Sequence, residues 1–175
     1  VAFVLSKNSR GKSAIKFENF THAVNFDKYD YRRACVQLRG QYSNHLYEYE
    51  LTAGSQVVDT ALNYSKKVLM KSLDMEINNF DENAAKKYMA TKDKVMIHTG
   101  SMKILDAFKK LYDLKDSQIS ESYDTLQNYG NLTGCSIPTV MRKGFVENSE
   151  VGAKGLLIGI TMGFGLDMVE VEKIA

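Results

Sequence analysis

The sequence predicts a layered α/β domain, because strand-like and helix-like segments alternate along it. The clearest helix is at residues 101–114, where apolar side chains recur at helical spacing behind Ser101, a candidate N-cap. The clearest strands are two apolar segments, at residues 156–163 and 166–174, joined by a glycine-rich turn at 163–165. Their separation is short enough for an antiparallel pair.

The N-terminal part of the chain is predicted to contain mainly strands. Residues 1–6 are a short apolar run with β-branched side chains, which indicates a buried strand, and residues 14–20 give a second strand signal. Residues 46–51 alternate tyrosine or leucine with glutamate, which suits a half-exposed strand or an extended loop. Residues 25–45 are mixed and polar, and they predict no regular element.

Helices are predicted in the middle of the chain. Apolar residues at helical spacing predict a long helix over residues 55–74, with Ser55 as a candidate N-cap. A shorter helix over residues 79–90 could be capped by Asp81. Residues 94–98 then form a short apolar strand that ends in a histidine.

Weaker signals follow the clearest helix. Residues 115–120 suggest a brief helical turn, and residues 122–127 suggest a short extended segment. A further helix is expected to end at Met141 or Phe145, and residues 144–155 are expected to form a flexible loop before the final pair of strands.

The composition excludes several classes of protein. The 175 residues fit one domain, or half of a larger two-domain protein. A net charge of +2 is too small to suggest a nucleic-acid-binding protein, and no apolar run approaches the roughly 18 residues of a membrane span. The sequence shows no signal peptide and begins inside an apparent strand without an initiator methionine, so we expect a fragment of a longer protein.

The cysteines and two of the histidines predict no site. Cys35 and Cys135 match no zinc spacing and are too few for a disulfide framework, so we expect a reducing, cytoplasmic compartment, with a single buried pair as the less favoured alternative. Cys135 is interpreted as a buried small hydrophobe rather than a nucleophile. His22 and His45 are interpreted as solvated or loop residues. We expect no metal site.

Three features could together form a catalytic site. His98 ends a buried strand just before a helix, a position that commonly faces a ligand crevice in open α/β sheets. Asn131 lies in a loop before another helix. The turn of Gly163, Phe164 and Gly165 could expose backbone N–H groups. An imidazole, a neutral amide and a glycine-rich turn suit stabilisation of a developing oxyanion.

Each of these features also has a purely structural explanation. A lone histidine at a strand end is more often structural, an asparagine beside Gly130 suits a turn, and glycines permit a tight hairpin. Taken singly, the residues therefore leave open an α/β domain with no active site.

Three segments resemble a known family. Residues 98–114, 129–141 and 159–172 resemble the C-terminal half of thiolase-fold condensing enzymes, most of all β-ketoacyl-acyl-carrier-protein synthase III, with the chalcone-synthase type of polyketide synthase as a near relative. The order of histidine, asparagine and glycine loop is the same. The resemblance covers most of the chain from about residue 50 onward, whereas residues 25–48 match poorly.

Two details favour different members of that family. The number of residues between His98 and Asn131 resembles the corresponding spacing in chalcone synthases slightly more than that in synthase III enzymes. Residues 51–62, by contrast, resemble the synthase III segment that lines the acyl and pantetheine tunnel.

The resemblance implies a fold and a reaction. We expect residues 1–175 to be the C-terminal domain of a condensing enzyme, a thiolase-like half-domain with a five-stranded mixed sheet and helices on its faces. The whole protein would be an acyltransferase that performs decarboxylative Claisen condensation of an acyl thioester with a malonyl thioester, with a Cys-His-Asn triad. The nucleophilic cysteine lies in the N-terminal half of such enzymes, so the fragment alone should be inactive.

The resemblance also assigns roles to individual residues. His98 and Asn131 match the residues that hold the malonyl carbonyl and stabilise the enolate. Lys103 falls where synthase III enzymes carry a basic residue for carrier-protein docking, which suits an anionic phosphopantetheine arm. The remaining matches are the oxyanion-bordering glycine loop, Gly163, Phe164 and Gly165, and two substrate-tunnel positions, Gly54 and Ser55.

The resemblance further implies partners and alternatives. We expect thioesters of acyl carrier protein or coenzyme A as substrates, no cofactor, the protein's own N-terminal half as a partner, a homodimer of the whole protein, and no nucleic acid or membrane. The alternatives are a type III polyketide-like or secondary-metabolite condensing enzyme, and a non-catalytic thiolase-fold partner subunit.

Several residues depart from the family's usual sequence. Leu132 to Gly134 replace the usual small residues after the asparagine, and Thr99 to Ser101 follow the histidine in place of either family's commonest residues. The glycine loop contains Phe164, which could narrow the site.

Overall fold

The structure is a computed structural model that describes residues 14–24, 34–43, 46–53, 57–76, 79–161 and 164–175. The predicted strand at residues 1–6 and the predicted cap Ser55 lie outside the described residues. So do His45, Gly54 and Gly163.

The described residues form six strands and five α-helices. The strands are β1 (Ile15–Val24), β2 (Ala34–Ser43), β3 (Leu46–Ala53), β4 (Lys94–Ile97), β5 (Lys154–Thr161) and β6 (Gly165–Lys173). The helices are α1 (Val57–Ser72), α2 (Glu82–Ala90), α3 (Met102–Tyr112), α4 (Asp116–Tyr129) and α5 (Ser136–Met141). A 3₁₀ turn (Thr133–Cys135) precedes α5, and a π-helical turn (Arg142–Glu147) follows it.

The main sheet is mixed, as predicted. Its described strands lie in the order β1-β6-β5-β4; β4 and β5 are parallel, and the other neighbours are antiparallel. The expected sheet had five strands, whereas the described part of the chain supplies four. The strands β2 and β3 form a separate antiparallel pair, so residues 46–51 are strand rather than loop, and β2 was not predicted.

Two apolar clusters cover opposite faces of the sheet, since neighbouring strand residues point to opposite sides. The larger cluster lies beneath α1, α3 and α4 and includes Leu69, Phe108 and Ile97. The smaller cluster includes Met96 and Phe145 and lies beneath α5 and the π-helical turn. Among the described residues, no helix is both long and apolar enough to cross a bilayer.

The predicted helix caps are confirmed where the structure describes them. Asp81 Oδ1 accepts a hydrogen bond of 3.0 Å from the backbone N–H of Ala84, and Ser101 Oγ accepts one of 3.3 Å from that of Ile104. Each bond satisfies a donor that the first helical turn leaves free.

The weakest prediction was wrong. Residues 115–127 are neither a brief turn nor an extended segment, because α4 runs unbroken from Asp116 to Tyr129. Its buried face contains Gln118, Ser122 and Thr125 as well as Ile119, so the apolar periodicity that marks a buried helix is weak in the sequence.

A partly buried ion pair joins α2 to the sheet. Lys92 Nζ lies 2.8 Å from Glu170 Oε2, and the Tyr88 hydroxyl donates to Glu170 Oε1 at 2.8 Å. The side chain of Lys92 is only 6% exposed. Burial alone would raise the pKa of Glu170, but the hydrogen bonds from Lys92 and Tyr88 outweigh it and hold the pKa below its ordinary value.

We expect Glu170→Gln to destabilise the protein by about 1–3 kcal/mol, because it leaves the buried Lys92 ammonium without its counter-charge. Since the folded pKa of Glu170 is lowered, its contribution is present above the ordinary carboxyl pKa and is lost as pH falls through the folded value. Urea unfolding at neutral and acidic pH measures both effects.

The matched control is Glu82→Gln. Glu82 pairs with Lys86 on the surface of α2, where solvent screens the charges, so the unfolding midpoint should barely change. Equal midpoints for the two variants would contradict a stabilising role for the Glu170 pair.

Candidate active site

His98 directly follows β4 and is fixed to the sheet through its backbone. Its N–H donates to the carbonyl of Ile158 at 2.9 Å, which extends the pairing of β4 with β5 by one residue. The side chain is half-buried, and burial lowers the pKa of the imidazole below its ordinary value of 6.5. The ring is therefore neutral near pH 7, with one nitrogen able to donate and the other able to accept.

A tight turn follows His98 and leads into α3. The N–H of Gly100 donates to the His98 carbonyl at 2.9 Å, which closes a three-residue turn with Thr99 at its centre. A Cβ at Gly100 would lie 2.9 Å from Ile104 Cδ1 and 3.3 Å from His98 Cδ2. A larger residue here would therefore displace the end of the Ile104 side chain and press on the imidazole.

Asn131 lies in the loop that follows α4. Gly130 ends the helix with a φ of 71°, which confirms the predicted need for backbone freedom beside the asparagine. The Asn131 side chain is exposed, and its Oδ1 accepts a hydrogen bond of 2.9 Å from the N–H of Thr133. This Asx turn occupies the amide oxygen and leaves the amide nitrogen available as a donor.

Thr99 connects the two loops. Its hydroxyl donates to the carbonyl of Gly130 at 3.2 Å and shares a second hydrogen bond, of 2.9 Å, with the hydroxyl of Ser136. Thr99 and Ser136 are fully buried. We call Thr99, Gly130 and Ser136 the hydroxyl clasp. It joins the residue after His98 to the residue before Asn131.

The helix α4 lies alongside β4 and supports the same arrangement. The hydroxyl of Ser122 accepts a hydrogen bond of 2.9 Å from the N–H of Ile97, and Lys94 Nζ donates to the Ser117 carbonyl at 2.9 Å. Because successive partners advance along both elements, the C-terminal ends of β4 and α4 lie side by side. His98 and Asn131 extend from these two ends.

The turn between β5 and β6 lies at the same end of the sheet. The two strands β4 and β5 are parallel, so their C-terminal ends share one edge. Gly165 is paired with Thr161, and a Cβ at Gly165 would lie 2.5 Å from the hydroxyl oxygen of Thr161, so a larger residue would force that side chain to move. The adjoining Gly163 lies outside the described residues.

Phe164 is a core residue, and its effect on the width of the site stays a prediction. Its ring is 1% exposed and packs on the ring of Tyr64 in α1, with 5.4 Å between the centroids. The ring therefore fills the core beneath α1.

Other predicted residues are placed as follows. Lys103 is exposed on the first turn of α3, and His22 is exposed on β1. Cys135 was expected to be buried, and this was wrong: its thiol is free and exposed in the 3₁₀ turn. Backbone hydrogen bonds hold this turn, including one of 3.0 Å from the Cys135 N–H to the Leu132 carbonyl. The turn therefore does not depend on packing of the thiol in the core.

The structure thus brings His98 and the Asn131 loop together at the end of the sheet where β6 begins with Gly165. In the described part of the chain, the side chains of His98 and Asn131 do not hydrogen-bond to each other. Their catalytic roles stay predictions, as do those of Gly54 and Ser55. The clasp residues Thr99 and Ser136 were not predicted. Their only signal was a small hydroxyl residue near each candidate residue, Thr99 directly after His98 and Ser136 five residues after Asn131.

No known protein-family model matches the sequence. A phloroglucinol synthase from Pseudomonas fluorescens is 28% identical over 136 residues, which are 76% of this chain and 38% of that enzyme. The structure of 1,3,6,8-tetrahydroxynaphthalene synthase from Streptomyces coelicolor, a bacterial type III polyketide synthase, matches with a TM-score of 0.69 and 18% identity. That match covers 95% of this chain and 43% of the synthase.

The chain adopts a thiolase-like α/β fold. Two further structures agree. OleA of Xanthomonas campestris matches with a TM-score of 0.66 and 16% identity over 91% of this chain and 40% of its own. The C-terminal type III polyketide synthase domain of Steely1 from Dictyostelium matches with a TM-score of 0.70 and 13% identity over 97% of this chain and 44% of its own. The chain therefore spans less than half the length of these condensing enzymes.

The lowered pKa of His98 predicts a pH-dependent part of the stability. The unfolded chain takes up a proton near pH 6.5, whereas the folded state resists it, so the unfolded state binds more protons below that pH. Stability should fall as pH drops from 6.5 towards the lowered folded pKa, and His98 should contribute no pH dependence above that range.

Urea unfolding of the wild type and of His98→Gln, at a series of pH values between about 7 and about 5, measures this effect. The variant should lose less stability than the wild type over the same range. An identical slope in both proteins would contradict a buried neutral imidazole.

Proposed function

We propose that the whole protein is a condensing enzyme that joins an acyl thioester to a malonyl thioester by decarboxylative Claisen condensation, and that this chain supplies His98 and Asn131. The observation that supports the proposal is the hydroxyl clasp. It links the strand end that holds a neutral histidine to the loop that holds an asparagine donor.

The two side chains suit the charge that this reaction develops. When the malonyl group loses carbon dioxide, the electrons of the broken C–C bond move into an enolate, and negative charge collects on the thioester oxygen. Neutral N–H donors at His98 and Asn131 would stabilise that oxygen more strongly than the uncharged carbonyl before it. The enolate carbon then attacks the acyl thioester carbonyl, and the thiolate leaves.

The polyketide variety of this reaction has the better support. A phloroglucinol synthase matches in sequence, and type III polyketide synthases match in fold. We therefore propose a type III polyketide-like product, formed from acyl and malonyl thioesters.

A synthase III-like enzyme is the second candidate, and Lys103 favours it. This lysine is exposed on the first turn of α3, five residues after His98, where it could meet the phosphate of a carrier protein's phosphopantetheine arm. The resemblance of residues 51–62 to the tunnel-lining segment of synthase III also supports this candidate. Within that segment, residues 57–62 form the start of α1. Gly54 and Ser55 would line the tunnel just before this helix.

We also propose that a second half of the protein, which carries the nucleophilic cysteine, packs against this chain in a homodimeric enzyme. On β1, the side chains of Phe17 and Val24 are about half exposed. They pair with Val171 and Gly165, two positions on the same face of β6. Phe20 is 63% exposed on the same strand. Apolar side chains at this density on one strand favour a protein contact.

Asn131→Ala tests the proposed reaction. In the whole protein, this variant should decarboxylate malonyl-coenzyme A about 10²–10³-fold more slowly, because one donor to the enolate oxygen is lost. Transfer of the acyl group to the enzyme should remain, since that step forms no malonyl enolate. Release of labelled carbon dioxide and mass spectrometry of the acylated enzyme measure the two steps.

Asn128→Ala is the matched control. Asn128 is an exposed asparagine three residues earlier whose amide donates only to the Asp124 carbonyl within the described structure. Both rates should equal those of the wild type. If Asn131→Ala lost both steps equally, its role in stabilising the enolate would be refuted. If the whole wild-type protein took up no acyl group, the result would favour a non-catalytic subunit.

Lys103→Glu separates the two candidate enzymes. If a carrier protein docks at Lys103, reversing the charge should raise KM for the malonyl carrier protein about tenfold and leave KM for malonyl-coenzyme A within about twofold. Lys110→Glu, an exposed lysine near the other end of α3, should alter neither. An unchanged KM for the carrier protein would remove Lys103 from the docking surface.

A further inference from the structure

We propose that Thr99 is a positioning residue: through the hydroxyl clasp, it holds the loop that bears Asn131 in register with His98. This inference rests on the proposed function. Thr99 itself touches neither reacting group, and its effect on the reaction would pass through the position of Asn131.

Two of the three residues of the clasp are fully buried. Thr99 and Ser136 are both 0% exposed, and their hydroxyls satisfy each other at 2.9 Å. The Gly130 carbonyl belongs to the residue that ends α4, where helix carbonyls lack partners within the helix, and the Thr99 hydroxyl supplies one. Removing that hydroxyl leaves the buried Ser136 hydroxyl and the part-buried Gly130 carbonyl without this partner.

The loop has few other attachments near Asn131. Gly130 donates to the Leu126 carbonyl at 2.9 Å, which ties it to its own helix, and Asn131 and Thr133 are joined by the Asx turn. These bonds are local to the helix and the loop. In the described structure, the clasp is the set of hydrogen bonds that ties residues 130–136 to the His98 turn.

The backbone of Thr99, at the other end of the clasp, is held by the hydrogen bonds of the His98 turn. Thr99 is the central residue of the turn closed by the Gly100 N–H and the His98 carbonyl, and His98 is bonded to β5. One side chain therefore connects a fixed point on the sheet to the Asn131 loop. Because a displacement of about 1 Å can cost about 10²-fold in rate, such a connection matters to a two-donor site.

The chain contains a matched control for the loss of a buried threonine hydroxyl. Thr125 is 0% exposed and lies one turn beyond Ser122 on α4, and its hydroxyl is buried without a hydrogen-bond partner in the described structure. Thr125→Val therefore makes the same chemical change as Thr99→Val, in a neighbouring part of the same core, and removes no hydrogen bond.

The experiment measures decarboxylation of malonyl-coenzyme A and acyl transfer in the whole protein. Thr99→Val should slow decarboxylation about 10–100-fold and leave acyl transfer within about twofold. Thr99→Ser keeps the hydroxyl and should restore most of the rate, and Thr125→Val should match the wild type. A Thr99→Val rate equal to that of Thr125→Val would overturn the proposal.

A double variant distinguishes positioning from general weakening of the fold. If Thr99 acts by placing Asn131, Thr99→Val should slow Asn131→Ala by less than about threefold, because the residue being positioned is already gone. Losses that multiply in the double variant would overturn the positioning role. Should Thr99→Val fail to fold, Ser136→Ala removes the other hydroxyl of the clasp; it should also slow decarboxylation selectively, and a wild-type rate would overturn the proposal.

Failure of the proposed function gives a different pattern. If the wild-type protein itself does not decarboxylate malonyl-coenzyme A, the proposed reaction is wrong. If Asn131→Ala decarboxylates it as fast as the wild type, the role assigned to Asn131 is wrong, and the positioning role falls with it. If Asn131→Ala is impaired but Thr99→Val is not, only the positioning role is wrong.

Discussion

The parallel pairing of β4 with β5 is the constraint on which the rest of the structure depends. Parallel neighbours cannot be joined by a tight turn, so the chain must leave the C-terminal end of β4 and return to the far end of the sheet before β5 begins. The connection contains α3, α4 and α5. It brings the residues that follow β4 and β5 to one edge of the sheet, where His98 and Gly165 lie.

Charged side chains are distributed unevenly between the two ends of β4. The pairs Lys92–Glu170 and Lys94–Glu121 lie where β4 begins, and Lys94 also donates to α4. At the other end of the strand, the hydrogen bonds of the His98 turn within the described residues are made with hydroxyls and backbone groups, none of them charged. Because no ionised partner of the imidazolium is found among the described residues there, desolvation decides the pKa of His98 and keeps the ring neutral.

The sequence predicts those elements whose signal is local. The helix at 101–114 and the final pair of strands follow from apolar periodicity, and the caps Asp81 and Ser101 follow from residue type. The helix α4 could not be predicted in this way, since Ser122 on its buried face is satisfied by a backbone group of β4. The clasp is similarly non-local, because Thr99 finds its partners 31 and 37 residues away. His98 and Asn131 could be named from a family resemblance, but the group that joins their loops could not.

The Asx turn at Asn131 divides one amide between two tasks. The oxygen shapes the loop by accepting from Thr133, and the nitrogen is left free to donate. An aspartate there could form the same turn with one oxygen, yet it would present a second acceptor and a negative charge where a donor had been. Two homologues with superposable loops could therefore differ in chemistry through a single atom. Backbone similarity at this position therefore does not show whether a relative is a catalyst or a non-catalytic subunit.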